Sequence, residues 1–276
     1  MDKAMSPELE AAIQSAADLI AEAKRRYEPK ATLAMYSGGN DSTTMLHLIR
    51  PHVDAACHIN TGIGIEETRQ FVRRTCMDWQ LPLIEEQTAE SYERIVLEYG
   101  FPGPFMHRVM YARLKERPLR QVIKRLKGED RKARIVLCSG VRRWESARRF
   151  YAGYDPINEG EYGVVWVNPL WEWTAELMLE YRRTFPVPRN PVSDLIHMSG
   201  ECLCGAYAHP GELEEIGLWY PETAQRIRDL EHKAEAAGVH CRWELPPPPK
   251  QIEGQENLWP EVGPLCSACE ARHGES

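Results

Sequence analysis

The sequence lacks an uninterrupted apolar run of the roughly 18 residues that a membrane-spanning helix needs. Its first residues also lack the apolar core of a secretory signal peptide. We therefore expect no membrane association and place the protein in the cytoplasm. In an enzyme-like chain of that compartment, eight cysteines favour metal binding or catalysis over a disulfide framework.

Two common phosphate-binding patterns are also missing at the strand-to-helix turn near residue 40. There is no Gly-Lys-Ser/Thr ending of a Walker loop and no G-x-G-x-x-G dinucleotide pattern. The turn instead reads Ser37-Gly38-Gly39-Asn40-Asp41-Ser42, between an apolar stretch and a helical pattern. Glycines let the backbone approach an anion, the serines offer hydroxyl donors, and a helix N-terminus adds free N–H groups. We predict that this loop binds phosphate; the alternative is an ordinary glycine-rich turn.

The composition is that of a globular protein, with 43% hydrophobic and 27% charged residues among 276. This length suffices for one large domain, alone or with a smaller appendage. Short strands alternate with helices, which predicts an α/β fold: a doubly wound, mainly parallel sheet with helices on both faces. Ligands bind at the carboxyl ends of such strands, so the loops after Tyr36, Ile59 and Leu137 should lie on one rim.

The loop at 37–42 matches the S-G-G-x-D-S pattern of the PP-loop. With it, the sequence resembles the ATP-pyrophosphatase and phosphoadenosine phosphosulfate (PAPS) reductase superfamily. Further segments match the motifs of this superfamily in the expected order: 58–68, 114–119, 139–149, 169–174 and 187–191. The resemblance covers roughly residues 31 to 208. It implies the PP-loop (HUP-like) fold and a bound adenine nucleotide, either ATP with Mg²⁺ or an adenylyl sulfate.

The resemblance also implies which residues form the site. The nucleotide-binding residues would be Ser37, Gly38, Gly39, Asn40, Asp41, Ser42, Asn60, Thr61, Gly62, Gly140, Arg142, Glu145 and Ser146. The catalytic residues would be Asp41, Arg142 and Arg148. Arginine can hold phosphate or sulfate oxygens through two bonds, and Asp41 would bind the metal ion or orient the loop. The superfamily has an aspartate where this chain has Asn60. A salt-bridged structural turn is the alternative for the arginine segment.

Four cysteines form two close pairs, Cys202-x-Cys204 and Cys266-x-x-Cys269. Close pairs from two segments are how zinc and iron–sulfur sites are assembled, so we predict a four-cysteine metal site. The family context favours a [4Fe–4S] cluster, and the spacing alone favours zinc. Met110 and Tyr111 stand where the iron–sulfur reductases have a Cys-Cys pair. The alternative is that these cysteines bind nothing.

Two domains are predicted: residues 1–208 as the adenine-nucleotide-binding domain and 209–276 as a helical, cysteine-containing C-terminal extension. The extension should contain one helix from Pro210 to Gly238, broken near Tyr220-Pro221, then a stiff polyproline segment and the CxxC tail. Within the first domain, we expect a polar loop over 154–163 and a helix that begins at Asn168 to Thr174.

The net charge of −7 hides a basic block at residues 107–149. In an acidic chain, such a block indicates a local polyanion site, which would take the phosphates of a nucleotide or a nucleic acid. A solvated helix face is the alternative. Possible partners are therefore a nucleic acid, a sulfur-donor protein or a second copy of the chain.

Two reactions are carried out on this scaffold. Some members cleave ATP to AMP and pyrophosphate to activate a substrate; in others a cysteine attacks an adenylyl sulfate and sulfite is released. The reductases usually have a degenerate PP-loop and end in Glu-Cys-Gly-Ile/Leu-His, whereas this loop is complete and the tail reads Cys269-Glu270-Ala271-Arg272-His273. We therefore predict a PAPS reductase-family enzyme that cleaves ATP for sulfur transfer to nucleic acid. The alternatives are sulfonucleotide reduction and a non-catalytic nucleotide-binding module of a nucleic-acid-modifying complex.

Overall fold

The computed structural model describes residues 5–89, 91–145, 155–239 and 241–244. The strands are β1 (Ala31–Met35), β2 (Ala55–Asn60), β3 (Leu83–Gln87), β4 (Ile135–Cys138), β5 (Ile157–Glu159) and β6 (Val164–Val167). The helices are α1 (Pro7–Tyr27), α2 (Asn40–Ile49), α3 (Glu66–Asp78), α4 (Tyr92–Tyr99), α5 (His107–Tyr111), α6 (Arg117–Lys127), α7 (Ala175–Thr184), α8 (Pro191–Ile196), α9 (Glu212–Trp219) and α10 (Pro221–Ala236). Short 3-10 helices lie at 50–52, 104–106, 143–145 and 161–163.

The strands form one sheet in the order β3-β2-β1-β4-β6-β5. Every neighbouring pair is parallel except β5 and β6, which are antiparallel at the edge. The chain order reverses between β1 and β4, which is the switch point where ligands bind in open α/β sheets. The loops after β1, β2 and β4 therefore lie on one rim, as predicted, and the predicted fold class is confirmed.

Alternation along β4 explains why helices cover both faces of the sheet. Val136 and Cys138 join a core cluster with residues of α1, α2, α3 and α7. Ile135 and Leu137 point the other way and pack with Val122 and other residues of α6. Because both faces are buried, β4 is apolar throughout, as is typical of a parallel strand. Cys57, Cys76 and Cys138 are buried packing residues, and burial raises the pKa of each thiol to about 12.

A third core cluster joins the C-terminal helices to the rim. It contains Ile63 and Ile65 from the loop after β2, together with residues of α4, α8, α9 and α10. The predicted break at Tyr220-Pro221 is present, because α9 ends at Trp219 and α10 begins at Pro221. The boundary at residue 208 stays a prediction, but residues on both sides of it share this core.

Two local features differ from the expectations, and a third is an irregular helical turn. The helix expected to begin within 168–174 begins at Ala175, because Thr174 caps it by accepting a bond from the Leu177 N–H. The expected polar loop at 154–163 contains the edge strand β5. Between α5 and α6 the chain passes through a π-helical segment, Ala112–Glu116. Nowhere in the described ranges is there a helix with the length and apolar character needed to cross a membrane.

Candidate functional site

The loop from Ser37 to Ser42 joins β1 to α2, and Gly39 is the N-cap of the helix. Glycine has no side chain to cap the helix, so the N–H groups of the first turn remain available to an anion. The Ser37 and Ser42 hydroxyls lie 3.0 Å apart, and Ser42 donates to the Gly39 carbonyl. The two hydroxyls and the first-turn amides thus lie at the positive end of α2. That this loop binds phosphate stays a prediction.

Two glycines let neighbouring segments approach this loop. Gly38 has φ +79, and a Cβ there would lie 3.0 Å from Val72 Cγ2 and 3.1 Å from Thr68 Cγ2 of α3. Gly140, in the loop after β4, brings its backbone against α2, so that a Cβ would lie 3.1 Å from the Ser42 nitrogen. A side chain at Gly38 would push the loop away from α3, and one at Gly140 would push the loop after β4 away from α2.

Arg142 reaches from the loop after β4 to the first turn of α2. Its Nε donates to Asp41 Oδ2 at 3.0 Å, and its side chain is only 8% exposed. The buried guanidinium thus adds positive charge to the same end of α2 that offers free amides. The structure brings these two predicted residues together, and Asp41 acts in it as an orienting group for Arg142.

The sequence did not indicate that Arg182, on α7, also contacts the loop. Arg182 Nη1 donates to the Asn40 carbonyl at 3.2 Å and to Thr44 Oγ1 at 3.0 Å. Burial lowers the pKa of Arg182, and the nearby Arg189 lowers it further. An arginine in an amphipathic helix gives no sequence signal for this contact. The contact arises only because α7 packs on α2.

The second predicted segment, Asn60 to Gly62, is held by the protein itself. Asn60 Oδ1 accepts from the Gly62 N–H at 2.9 Å and from Arg69 at 3.1 Å, and its Nδ2 donates to Glu85 at 3.2 Å. Glu85 thus places a carboxylate next to Asn60, the position where the superfamily has aspartate. A hydrogen bond from Arg73 holds the pKa of Glu85 below its usual value. Asn60 therefore holds the conformation of the loop, in which Gly62 adopts a left-handed backbone with φ +77.

The segment that carries the first cysteine pair packs directly on this rim. The Thr61 hydroxyl donates to the Glu201 carbonyl at 2.9 Å, and the Ile65 N–H donates to the Gly200 carbonyl at 2.7 Å. Glu201 is buried and pairs with Lys115 at 2.7 Å. Although burial would lower the pKa of Lys115, the Glu201 carboxylate and the Cys202 sulfur raise it. The segment is therefore anchored by backbone bonds and by one buried ion pair.

Cys202 and Cys204 are separated by one residue on this segment, and each changes the ionisation of the other. The interaction with Cys204 raises the pKa of the Cys202 thiol, and the interaction with Cys202 lowers the pKa of Cys204 to about 7. Both side chains are half-buried, and Tyr92 donates to the Cys204 carbonyl at 2.7 Å. Cys204 is therefore the more readily ionised thiol of the two.

The metal prediction is not supported by the described residues. Among them, no three His, Cys, Asp or Glu side chains are arranged to hold a metal ion. Cys266 and Cys269, the predicted second pair, lie outside the described residues. The described part of the chain thus supplies two of the four thiols that the predicted site needs.

Other predicted site residues also lie outside what the structure describes. Ser146 and Arg148 are not described, and Glu145 is described only in its backbone, within the 3-10 helix at 143–145. In the basic block, several cations form ion pairs with acidic residues of the same chain: Arg108 with Glu116, Arg120 with Glu116 and Glu161, and Arg125 with Glu86. Lys127 is buried and donates to two backbone carbonyls. Part of the basic block thus has a structural role, in surface ion pairs and in one buried lysine.

A family model confirms the resemblance that the motifs carry. Residues 31–197, more than half of the chain, match the phosphoadenosine phosphosulfate reductase domain. The matched region contains the loop at 37–42, the segment 60–62 and Arg142. The chain belongs to the phosphoadenosine phosphosulfate reductase domain family.

Two relatives of similar sequence are named adenosine 5'-phosphosulfate reductase. The chain is 31% identical over 174 residues to the adenosine 5'-phosphosulfate reductase of Rhizobium tropici, covering 61% of this chain and 92% of the relative. It is 28% identical over 183 residues to the adenosine 5'-phosphosulfate reductase of Sinorhizobium fredii (strain NBRC 101917 / NGR234), covering 65% and 70%.

A solved structure supports the fold. The FMN adenylyltransferase of Candida glabrata, in complex with FAD and inorganic pyrophosphate, aligns with a TM-score of 0.50 at 14% identity. The alignment covers 68% of this chain and 60% of that chain. At this identity the likeness concerns the fold alone.

Proposed function

We propose that the protein binds adenosine 5'-phosphosulfate at the loop from Ser37 to Ser42 and reduces it to sulfite, with release of AMP. The observation that carries the proposal is the 31% identity to a relative named adenosine 5'-phosphosulfate reductase, which extends over 92% of that relative. This reverses the order of the two reactions inferred from the sequence, in which ATP cleavage came first.

The charge arrangement at the loop supports an anionic ligand. The first turn of α2 has no side-chain cap, the Ser37 and Ser42 hydroxyls lie 3.0 Å apart at the same helix end, and the buried Arg142 contacts that turn through Asp41. Preorganised donors of this kind stabilise charge that develops on a leaving phosphate or sulfate oxygen. Because the Asp41 carboxylate already accepts from Arg142, it is less available to a magnesium ion than a free carboxylate would be. This geometry favours the sulfonucleotide over the magnesium complex of ATP.

Reduction of the sulfate requires two electrons, which thiols supply. One thiol sulfur attacks the sulfur atom of the sulfate group. The bond between the sulfate sulfur and the phosphate oxygen then breaks, and AMP leaves with the electron pair of that bond. A second thiol attacks the first sulfur, a disulfide forms, and sulfite leaves with the electron pair of the bond that breaks. Cys202 and Cys204 are separated by one residue and lie on the segment that packs against the rim, so we assign the two thiols to them. An external dithiol would then restore the pair.

ATP cleavage remains the second candidate. The complete Ser-Gly-Gly-x-Asp-Ser loop supports it, because both serine hydroxyls and the glycine-lined turn are present for a chain of phosphates. On that hypothesis, the loop amides, Arg142 and Mg²⁺ would stabilise the leaving pyrophosphate. The substrate activated by ATP would be a nucleic acid or another molecule bound by the basic block at 107–149.

One assay with three alternative substrates tests the proposal. The full-length protein is incubated without oxygen, in dithiothreitol, with adenosine 5'-phosphosulfate, with its 3'-phosphorylated form, or with ATP and Mg²⁺. We expect sulfite and AMP from the first substrate. Pyrophosphate from ATP without sulfite from either sulfonucleotide would overturn the proposal and establish the second candidate.

A matched pair of serine variants localises the activity. Ser42→Ala removes a hydroxyl from the loop and should reduce sulfite release. Ser91→Ala removes the N-cap serine of α4, whose side chain makes no cap hydrogen bond, and should leave the activity unchanged. Equal activity of the two variants would argue against the loop as the binding site.

A further inference from the structure

Asn190 is a buried amide that no step of the proposed reaction uses. It lies directly before α8 and is 2% exposed. Its Nδ2 donates to the Gly38 carbonyl at 3.0 Å, to Thr68 Oγ1 at 3.2 Å and to the Ser199 carbonyl at 3.5 Å. Its Oδ1 accepts from the Val192 N–H at 3.0 Å and so caps α8. One side chain therefore contacts the phosphate loop, α3 and the segment that leads to the cysteines.

We propose that Asn190 is a positioning residue that sets the conformation of the phosphate loop and couples it to the cysteine-bearing segment. This inference rests on the proposed function, because the ligand whose binding it supports is the adenylyl sulfate. Asn190 does not touch that ligand; it acts by holding Gly38, whose left-handed backbone at φ +79 determines where the next two amides point.

The contacts around Asn190 connect the two halves of the site. Thr68 accepts from Asn190 and donates to the Ser199 carbonyl at 2.5 Å. Ser199 also lies against the loop, since a Cβ on Gly39 would be 3.2 Å from Ser199 Cβ. Three residues beyond Ser199 the chain reaches Cys202. A shift of the loop on ligand binding would therefore reach the cysteine pair through Thr68 and Ser199.

The chemistry of this position selects asparagine. The site needs a donor toward the Gly38 carbonyl and an acceptor toward the Val192 N–H, and an amide has both. Aspartate would keep the cap on α8, because it is as good an N-cap as asparagine. It would lose the donor and would place a carboxylate against the Gly38 carbonyl. Asn190→Asp thus separates the role in the loop from the role in the helix.

The first measurement is the affinity for AMP and for adenosine 5'-phosphosulfate by calorimetry. We expect Asn190→Asp to weaken both about tenfold, because a buried hydrogen bond to the loop is lost. The matched control is Asn158→Asp on β5. Asn158 also donates to a backbone carbonyl and accepts from a backbone N–H, both of Asp155, but lies on the edge strand. The control should bind as the wild type does.

The second measurement tests the coupling. Alkylation of Cys202 and Cys204 is followed by mass spectrometry with and without AMP. In the wild type, AMP should change the alkylation rate of the pair. Thr68→Val keeps the bond from Asn190 to Gly38 but removes the hydroxyl between Asn190 and Ser199. It should bind AMP within about twofold of the wild type and lose the effect of AMP on the cysteines.

The outcomes distinguish a failure of the role of Asn190 from a failure of the proposed function. If the wild type binds neither AMP nor adenosine 5'-phosphosulfate, the proposed function fails and the inference fails with it. If the wild type binds both and Asn190→Asp binds them equally well, the inference alone is overturned. An unchanged effect of AMP on the cysteines in folded Thr68→Val would overturn the coupling. A folded Asn190→Asp with weaker binding and no AMP effect would support both parts.

Discussion

Arg142 Nε donates to Asp41 Oδ2 at 3.0 Å, although 101 residues separate them in the chain. The bond joins the loop after β4 to the first turn of α2, so it spans the switch point of the sheet. It also determines what each partner can do: the carboxylate orients the guanidinium, and the guanidinium neutralises the carboxylate beside the free amides of the helix.

Removal of Arg142 should weaken ligand binding strongly. In Arg142→Ala, the Asp41 carboxylate loses its partner and repels an incoming sulfate or phosphate. We expect the Kd for adenosine 5'-phosphosulfate to rise about 10- to 100-fold, as for the loss of a charged hydrogen bond. Arg143→Ala is the matched control, because the next side chain pairs with Glu172 instead. Calorimetric titration of both variants measures the difference; equal affinities would contradict the assignment of Arg142.

The phosphate loop should not tolerate a side chain at Gly38. Gly38→Ala combines a strained backbone with a Cβ 3.0 Å from Val72 and 3.1 Å from Thr68. Gly238 has the same φ of +79 but nothing within 4 Å of its Cβ position, so Gly238→Ala isolates the backbone strain. We expect Gly238→Ala to cost about 1 kcal/mol in the free energy of unfolding and to bind AMP normally. Gly38→Ala should cost more and should lose AMP binding. Denaturant unfolding and calorimetry test this, and similar effects of the two changes would show that contact with α3 does not matter.

The cysteine pair should be oxidised during a single turnover. With adenosine 5'-phosphosulfate and no external reductant, one sulfite and one disulfide between Cys202 and Cys204 are expected per protein molecule. The interaction with Cys202 lowers the pKa of Cys204 to about 7, whereas the pKa of Cys202 is raised, so alkylation of Cys204 should be faster than that of Cys202 at neutral pH. Peptide mass spectrometry reads both results. As a control, Cys57→Ser changes a buried thiol on β2 and should leave sulfite release intact. Full sulfite release by the double serine variant at positions 202 and 204 would exclude this pair.

Mild acid should destabilise the fold through His47. Burial, and then the nearby Arg50, lowers the pKa of His47 from 6.5 to about 4, and its ring bonds to the Tyr181 hydroxyl at 2.7 Å. The unfolded chain therefore takes up a proton between pH 6.5 and 4 that the folded chain does not, and the free energy of unfolding falls as the pH drops through this window. The loss from this group is at most about 3 kcal/mol. Denaturant titrations at pH 7.5 and 5 should show a smaller drop for His47→Gln than for the wild type; equal drops would rule out this histidine as the cause.

Much of the fold could be predicted because its signals are local. The apolar β1 and β4 and the turn at 37–42 follow from short-range patterns and from the conformational freedom of glycine. The start of α7 was placed too early because Thr174, an N-cap, lies inside an apolar aromatic stretch that also suits a helix. The edge strand β5 was missed because two of its three residues are half-exposed, the third is exposed, and the strand pairs with one neighbour only.

The sequence by itself determined the glycine-containing turn at 37–42, the α/β class of the fold and the rim where the loops meet. Each depends on residue types that are close in the chain, where backbone geometry leaves few choices. Only the tertiary structure decided that Arg142 pairs with Asp41, that Arg182 contacts the start of α2, and that Asn190 holds Gly38. These bonds join segments more than 100 residues apart, and their partners are chosen by how helices pack on the sheet. No local pattern carries that information.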